Sequence, residues 1–324
     1  DIFGEAAKRG VVYRWGYATA TDAACDDHLH WISRLATASR VSGKRFRDID
    51  ATVQLTAFQE TLVHPTPDLA VAGTAVMWAA AMPELLGRLG ENEWWDLLGS
   101  LQNFRENLLL RPATEPIVLL GVVELGLTLS IALQSLPSCR RLETSSRDAL
   151  SEWCEQSDLS LTDLLSSPAE ARLALAAIHR IRMLIDRGLK KPAKAKKHFK
   201  AIRRETAVIA GELATWVAAL TCAGGGNCFS TLSRVDLGDD VGQLGLLAHA
   251  ADSDPESLRP AFAAAMASPP FDRGQAKRHR GKSKGRLAWQ VSLPEAFLHD
   301  EDAKLAWLLP EWDARRGRTV IDYQ

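Results

Sequence analysis

The sequence predicts a mainly α protein: a body of paired helices that runs into the beginning of a β region. Three observations carry this. Apolar residues recur at three- and four-residue spacing through most of the chain, Pro, Gly and short polar clusters interrupt that pattern, and from residue 287 onward the period changes to two. These shifts divide the chain into a helical domain over 1–272, a basic linker over 273–286 and a β-containing region over 287–324.

Composition bounds the class. A chain of 324 residues that is 46% hydrophobic and 24% charged can bury a substantial core and belongs with soluble globular proteins. No apolar run approaches the ~20 residues of a membrane span. The chain opens on Asp1 without a basic segment followed by an apolar one, which reads as an internal fragment or a processed chain and leaves the compartment open. Cys25, Cys139, Cys154, Cys222 and Cys228 form no CxxC pair and are odd in number, so neither a disulfide framework nor a zinc site is expected; Cys222 and Cys228 are spaced to close a small loop in an oxidising compartment, and otherwise the cysteines read as reduced, small, partly buried side chains.

Helix boundaries fall, in order, at "HPTPDLA" (64–70), "RPATEP" (111–116), "SLPSCRR" (135–141), "SSPAE" (166–170), "RGLKKP" (187–192) and "CAGGGNC" (222–228). One start is explicit: Ser167 is placed to cap, Pro168 takes the first helical position and Glu170 completes a capping box. That helix is expected to stop at Gly188, since glycine accepts the left-handed conformation that ends helices.

The next helix carries a single apolar stripe, Phe199, Ile202, Ile209, Leu213, Trp216 and Leu220, with Thr206 filling its one gap. Lys196, Lys197, Lys200, Arg203 and Arg204 project from the other side. The stretch 190–204 holds eight Lys or Arg and no acid, with Arg187 just before it. Such a face is either simply solvated or a contact for a polyanion. Positive charge at a helix N-terminus opposes the macrodipole, so local stability does not explain it. "RGQAKRHRGKSKGR" (273–286) adds seven more cations without an acid and reads as a linker or long loop. Setting these sixteen aside, the formal charge of the rest is −17 against −1 for the whole chain, an asymmetry that favours a polyanionic partner.

Beyond the linker, "LAWQVSL" (287–293) alternates Leu287, Trp289, Val291 and Leu293, and "RTVIDYQ" (318–324) reads the same way; both predict strands. "HDED" (299–302) between them reads as the acidic first turn of a helix.

The succession of helix pairs, the many tryptophans and the segments "PIVLLGVVELGLTLSIAL" (116–133) and "WVAALTCAGGGNCFS" (216–230) resemble the α/α-toroid of heparinase II/III-type polysaccharide lyases, in which β-sandwich sheets follow the helices. The resemblance spans roughly 10–270 as toroid and 287 onward as sandwich. It implies β-elimination of an acidic, uronate-containing polysaccharide, with an Asn, Arg or His neutralising the uronate carboxylate and a Tyr or His taking the C5 proton. The family's catalytic Asn, His and Tyr motifs have no recognisable counterpart in this sequence.

Site candidates follow from the chemistry such a reaction needs, a neutralising group and a base within hydrogen-bond reach. In "VYRWGYA" (12–18), an extended chain places Tyr13, Trp15 and Tyr17 on one face, with Arg14 opposite. This is either a sugar-stacking platform carrying the catalytic phenol or an aromatic segment packed on the first helix. "DDHLHW" (26–31) adds His28 and His30, which face different ways and so do not make a metal site. In "LQNFRENLL" (101–109), Asn103 and Asn107 share a helical face one turn apart, with Arg105 pointing elsewhere. These amides suit sugar hydroxyls or a carboxylate, or simply face water. Lys197, Lys200 and Arg204 are the candidate polyanion contacts. His64 and His179 read as structural.

No cofactor or metal is expected, because Walker A, GxSxG, HExxH and EF-hand patterns are all missing from the sequence. Two functions remain in view: a lyase or lyase-like binder of an acidic glycan, and a non-catalytic helical protein that binds nucleic acid or an acidic partner. A purely structural helical domain is the third.

Overall fold

The computed structural model describes residues 15, 26–37, 46, 49–156, 164, 168–188, 193–220, 297–302, 304–308 and 319–323. The expected linker and the strand over 287–293 lie outside them. The described chain is mostly helical and ends in a three-stranded antiparallel sheet.

Helix α1 (Asp26–Ala36) is followed by α2 (Ala51–Leu62), α3 (Leu69–Leu85) and α4 (Glu91–Leu108). Each of the last three starts on a side chain that satisfies free backbone donors. Asp50 accepts from Thr52 N at 2.9 Å, Asp68 from Val71 N at 2.8 Å, and Glu93 reaches back to Gly90 N at 2.8 Å. Next comes one nearly continuous helical rod: α5 (Pro116–Val118), a π-helical segment (Leu119–Glu124) and α6 (Leu125–Ala132). Helices α7 (Pro137–Glu155), α8 (Pro168–Gly188) and α9 (Ala193–Ala219) complete the body. Pro116, Pro137 and Pro168 all begin helices, and α8 ends at Gly188, as the sequence predicts.

The rod explains the architecture. Every residue from Ile117 to Ser130 is buried, so this helix is apolar all round and lies inside the body, in contact with α3, α4, α7 and α8. Helix α1 packs on α3, α2 on α3 and α4, and α9 on α7 and α8. At the centre of the described body there is thus a helix. Close approach of α6 to α7 requires Gly126, where a Cβ would run into Ser146 Oγ and Arg105 Nε.

The stripe of α9 is buried at Ile202, Thr206, Ile209, Leu213, Trp216 and Leu220, while Arg203 and Arg204 are exposed. The side chains of Phe199, Lys197 and Lys200 lie outside the description. Thr206 fits the apolar stripe because its hydroxyl donates to Ile202 O at 2.8 Å.

In the sheet, β1 (Phe297–Asp300), β2 (Leu305–Leu308) and β3 (Thr319–Asp322) form a meander in which Leu298 faces Trp307 and Trp307 faces Val320. Strand β3 is the predicted one. The helix expected at "HDED" is not formed: Asp300 closes β1, and Glu301 and Asp302 make the turn into β2, with Lys304 in the left-handed region at φ 50°. Antiparallel pairing, His299 with Ala306 and Asp300 with Leu305, prevails over the acidic helix-start signal. Leu305 and Trp307 join the hydrophobic core of the helices, with Leu298 and Val320 packed against it.

Candidate functional site: a polar cleft between two helices

Helices α2 and α4 lie side by side, and the loop that follows α2 folds over their C-terminal ends. Between them opens a cleft of about 540 Å³, within the usual range of ligand pockets. Its apolar surface comes from Leu62, Pro65, Pro67, Phe104 and Leu108, and its polar groups from Gln59, His64, Ser100, Asn103, Asn107 and Arg111.

Some of these groups are already engaged. Gln59 Nε2 donates to Ser100 Oγ at 3.1 Å, which ties the two helices together, and His64 Nδ1 sits 3.3 Å from Thr66 N, which fixes the imidazole against its own loop. Arg111 Nη1 donates to Glu115 at 3.0 Å, and the rest of its guanidinium has no partner among the described residues. Asn103 and Asn107 are exposed, and neither carboxamide makes a hydrogen bond with a described residue. Two amides one helical turn apart, a guanidinium edge and an imidazole thus line one hollow with a partly apolar wall. That set donates to and accepts from hydroxyls, and it meets a single negative charge.

Sequence reasoning selected Asn103 and Asn107 but not the groups beside them. Ser100, Asn103, Asn107 and Arg111 follow one another at three- and four-residue steps, so extending the amide face by a turn in each direction finds both missed residues. Gln59 and His64 carry no such signal, because they arrive from another helix and its loop.

Arg105 is corrected. Although it sits between the two amides in sequence, it is 2% exposed and turned into the core, where Nε donates to Val122 O at 3.0 Å and Nη2 to Ser145 Oγ at 2.9 Å. A guanidinium spent on the carbonyl of a π-helical turn is not available to a substrate. Burial also lowers its pKa, with Glu106 opposing.

Trp15 is likewise not a sugar platform. It is buried, and its ring lies 4.5 Å from the Arg180 guanidinium carbon. Arg180 in turn holds Glu124, a pair that the sequence analysis did not single out. His28 is half-buried against Trp31 and Trp78, with ring centroids 6.2 and 5.9 Å away. Desolvation lowers its pKa, with a hydrogen bond to Gln54 acting the other way, and it does not line the cleft. Tyr13, Arg14 and Tyr17 lie outside the described residues, as does the side chain of His30. Arg204 is exposed on α9, and its neighbour Arg203 pairs with Asp186 at 3.0 Å.

Among the described residues no group of His, Cys, Asp and Glu is arranged to hold a metal ion, and no helix is long and apolar enough to cross a membrane. Comparison with protein-family models, with curated proteins and with solved structures finds no match.

Proposed function

We propose that the helical domain binds an acidic glycan, and that the cleft between α2 and α4 holds one or two of its sugar rings. The observation that carries this reading is the pair of uncommitted amides, Asn103 and Asn107, opening beside Arg111 onto an apolar floor. Sugars present hydroxyls around their edge and C–H groups on their faces, so amides at the rim and Phe104, Leu108 and prolines beneath suit both. A uronate carboxylate takes the free edge of Arg111, a charge-assisted contact that distinguishes acidic from neutral sugars.

β-Elimination, and with it a toroidal arrangement of the helix pairs, is the finer form of the same proposal. It requires a phenol and a neutralising cation at the bound ring. Arg105 is occupied in the core, so binding is the part that the geometry supports. The experiment is a calorimetric titration of the full chain with an oligogalacturonide and with a neutral oligosaccharide of equal length, followed by absorbance at the wavelength of unsaturated uronates. Binding of the acidic oligomer without product formation is the expected result. Equal affinity for both oligomers, or a nucleic acid that outcompetes the uronate, contradicts it.

A further inference from the structure

Behind the floor of the α2–α4 cleft lies a glycine. Phe104 and Leu108 stand one turn apart on α4 and line the cleft, yet they are only 3% and 2% exposed. Their other sides rest on the π-helical segment of the central rod, and the residue beneath them there is Gly121. A Cβ at this position would run into Leu108 Cδ1 and come within 3.4 Å of Phe104 Cε1. Glycine is a poor helix former, but here it lets the two side chains sink toward the rod.

The surroundings decide which partner gives way when a side chain is added at Gly121. The rod is held: Val122 O accepts from Arg105 Nε at 3.0 Å and from Ser146 Oγ at 3.4 Å, and Arg180 grips Glu124. It has nowhere to retreat, because its π-helical segment packs on α3, α7 and α8 as well as on α4, and close-packed interiors hold no spare volume. Leu108 is placed differently. The atom that clashes is the far end of a flexible side chain, and on its other side lies the open cleft. A methyl group added to the rod therefore drives Leu108 outward, and the floor rises. We propose that Gly121, a positioning residue that touches no ligand, sets the depth of the cleft and so the fit of a sugar ring against its floor, an inference that rests on the glycan reading above. One methylene more or less in an apolar contact changes affinity by about 10–200-fold, so a floor raised by one methyl group is enough to sort ligands.

The test has two readings, of which only one needs a ligand. In the full chain labelled with ¹³C at the leucine methyls, a neutral, soluble gadolinium chelate broadens the signals of exposed methyls. Those of Leu108 are expected to be protected in the native chain and broadened in Gly121→Ala. In a calorimetric titration with an oligogalacturonide, Gly121→Ala is expected to bind about tenfold or more weakly. Gly121→Ala/Leu108→Val, which adds one carbon behind the floor and removes one from it, restores most of the lost affinity. Ser146→Ala, which loosens the rod without adding bulk beneath the floor, leaves affinity unchanged. Leu108 methyls that stay protected in Gly121→Ala, an affinity that does not change, a loss that Leu108→Val does not relieve, an equal loss in Ser146→Ala, or a Gly121→Ala chain that fails to fold by thermal unfolding each overturns the proposal. If the native chain does not bind the oligogalacturonide, the glycan reading falls, while the methyl signals still decide whether Gly121 sets the depth of the cleft.

Discussion

Arg180 grips the carboxylate of Glu124 from two sides, Nε to Oε1 at 2.5 Å and Nη2 to Oε2 at 2.9 Å, with both side chains inside the core. Glu124 ends the π-helical segment of the central rod and Arg180 belongs to α8, so this pair fixes how α8 sits on the rod. Burial pushes the Glu124 carboxyl above its ordinary range while Arg180 pulls it back.

Removing either partner breaks a buried two-point ion pair. Glu124→Gln is expected to cost about 3–5 kcal/mol, read as a shift of the urea unfolding midpoint. The double variant Glu124→Gln/Arg180→Met should cost less than the two single changes added together. A single-variant cost below about 1 kcal/mol would show that the pair does not organise this contact.

Arg105 separates structural from binding roles. Arg105→Met strips the donors from Val122 O and from the two serines beside it, and should destabilise the fold by about 1–3 kcal/mol with no change in affinity for an oligouronate. An affinity loss out of proportion to the loss of stability would return Arg105 to the site.

For α9, Trp216→Ala is expected to cost about 3–5 kcal/mol, since Trp216 fills the buried stripe at 6% exposure. The exposed Arg204→Ala should change stability by less than about 0.5 kcal/mol. Thermal or urea unfolding of the two variants side by side checks both.

How much of this was legible depends on the range of the interaction that fixes it. Helix starts at Pro116, Pro137 and Pro168, the stop at Gly188 and the stripe of α9 are decided within a few residues, and all were readable. The strand at 319–322 was readable for the same reason. "HDED" misled because a local acidic signal competes with strand pairing to partners beyond its window. Arg105 and Trp15 misled for a deeper reason: periodicity gives the direction of a side chain but not whether a π-turn carbonyl or a buried guanidinium waits there. Asn103 and Asn107 were legible because they share one helix. The groups that arrive from α2 and its loop were not.

His28 makes stability depend on pH. Its folded pKa lies below the ordinary value of 6.5 because burial disfavours the imidazolium. The unfolded chain therefore takes up the proton first, and stability present above 6.5 is lost as the pH falls toward the folded value. His28→Phe should flatten that part of the curve, measured as unfolding free energy against pH. A wild-type curve and a His28→Phe curve that remain parallel below 6.5 would contradict the assignment.

The central claim is that the α2–α4 cleft holds an acidic sugar through Asn103 and Asn107, and the side-chain amides themselves report on it. In a protein labelled with ¹⁵N at asparagine, titration with an oligogalacturonide is expected to move the carboxamide resonances of Asn103 and Asn107 in a saturable way. Arg111→Gln should shift the midpoint to at least about tenfold higher concentration. Saturable binding that leaves both carboxamide signals in place, or that is indifferent to Arg111→Gln, would contradict the claim.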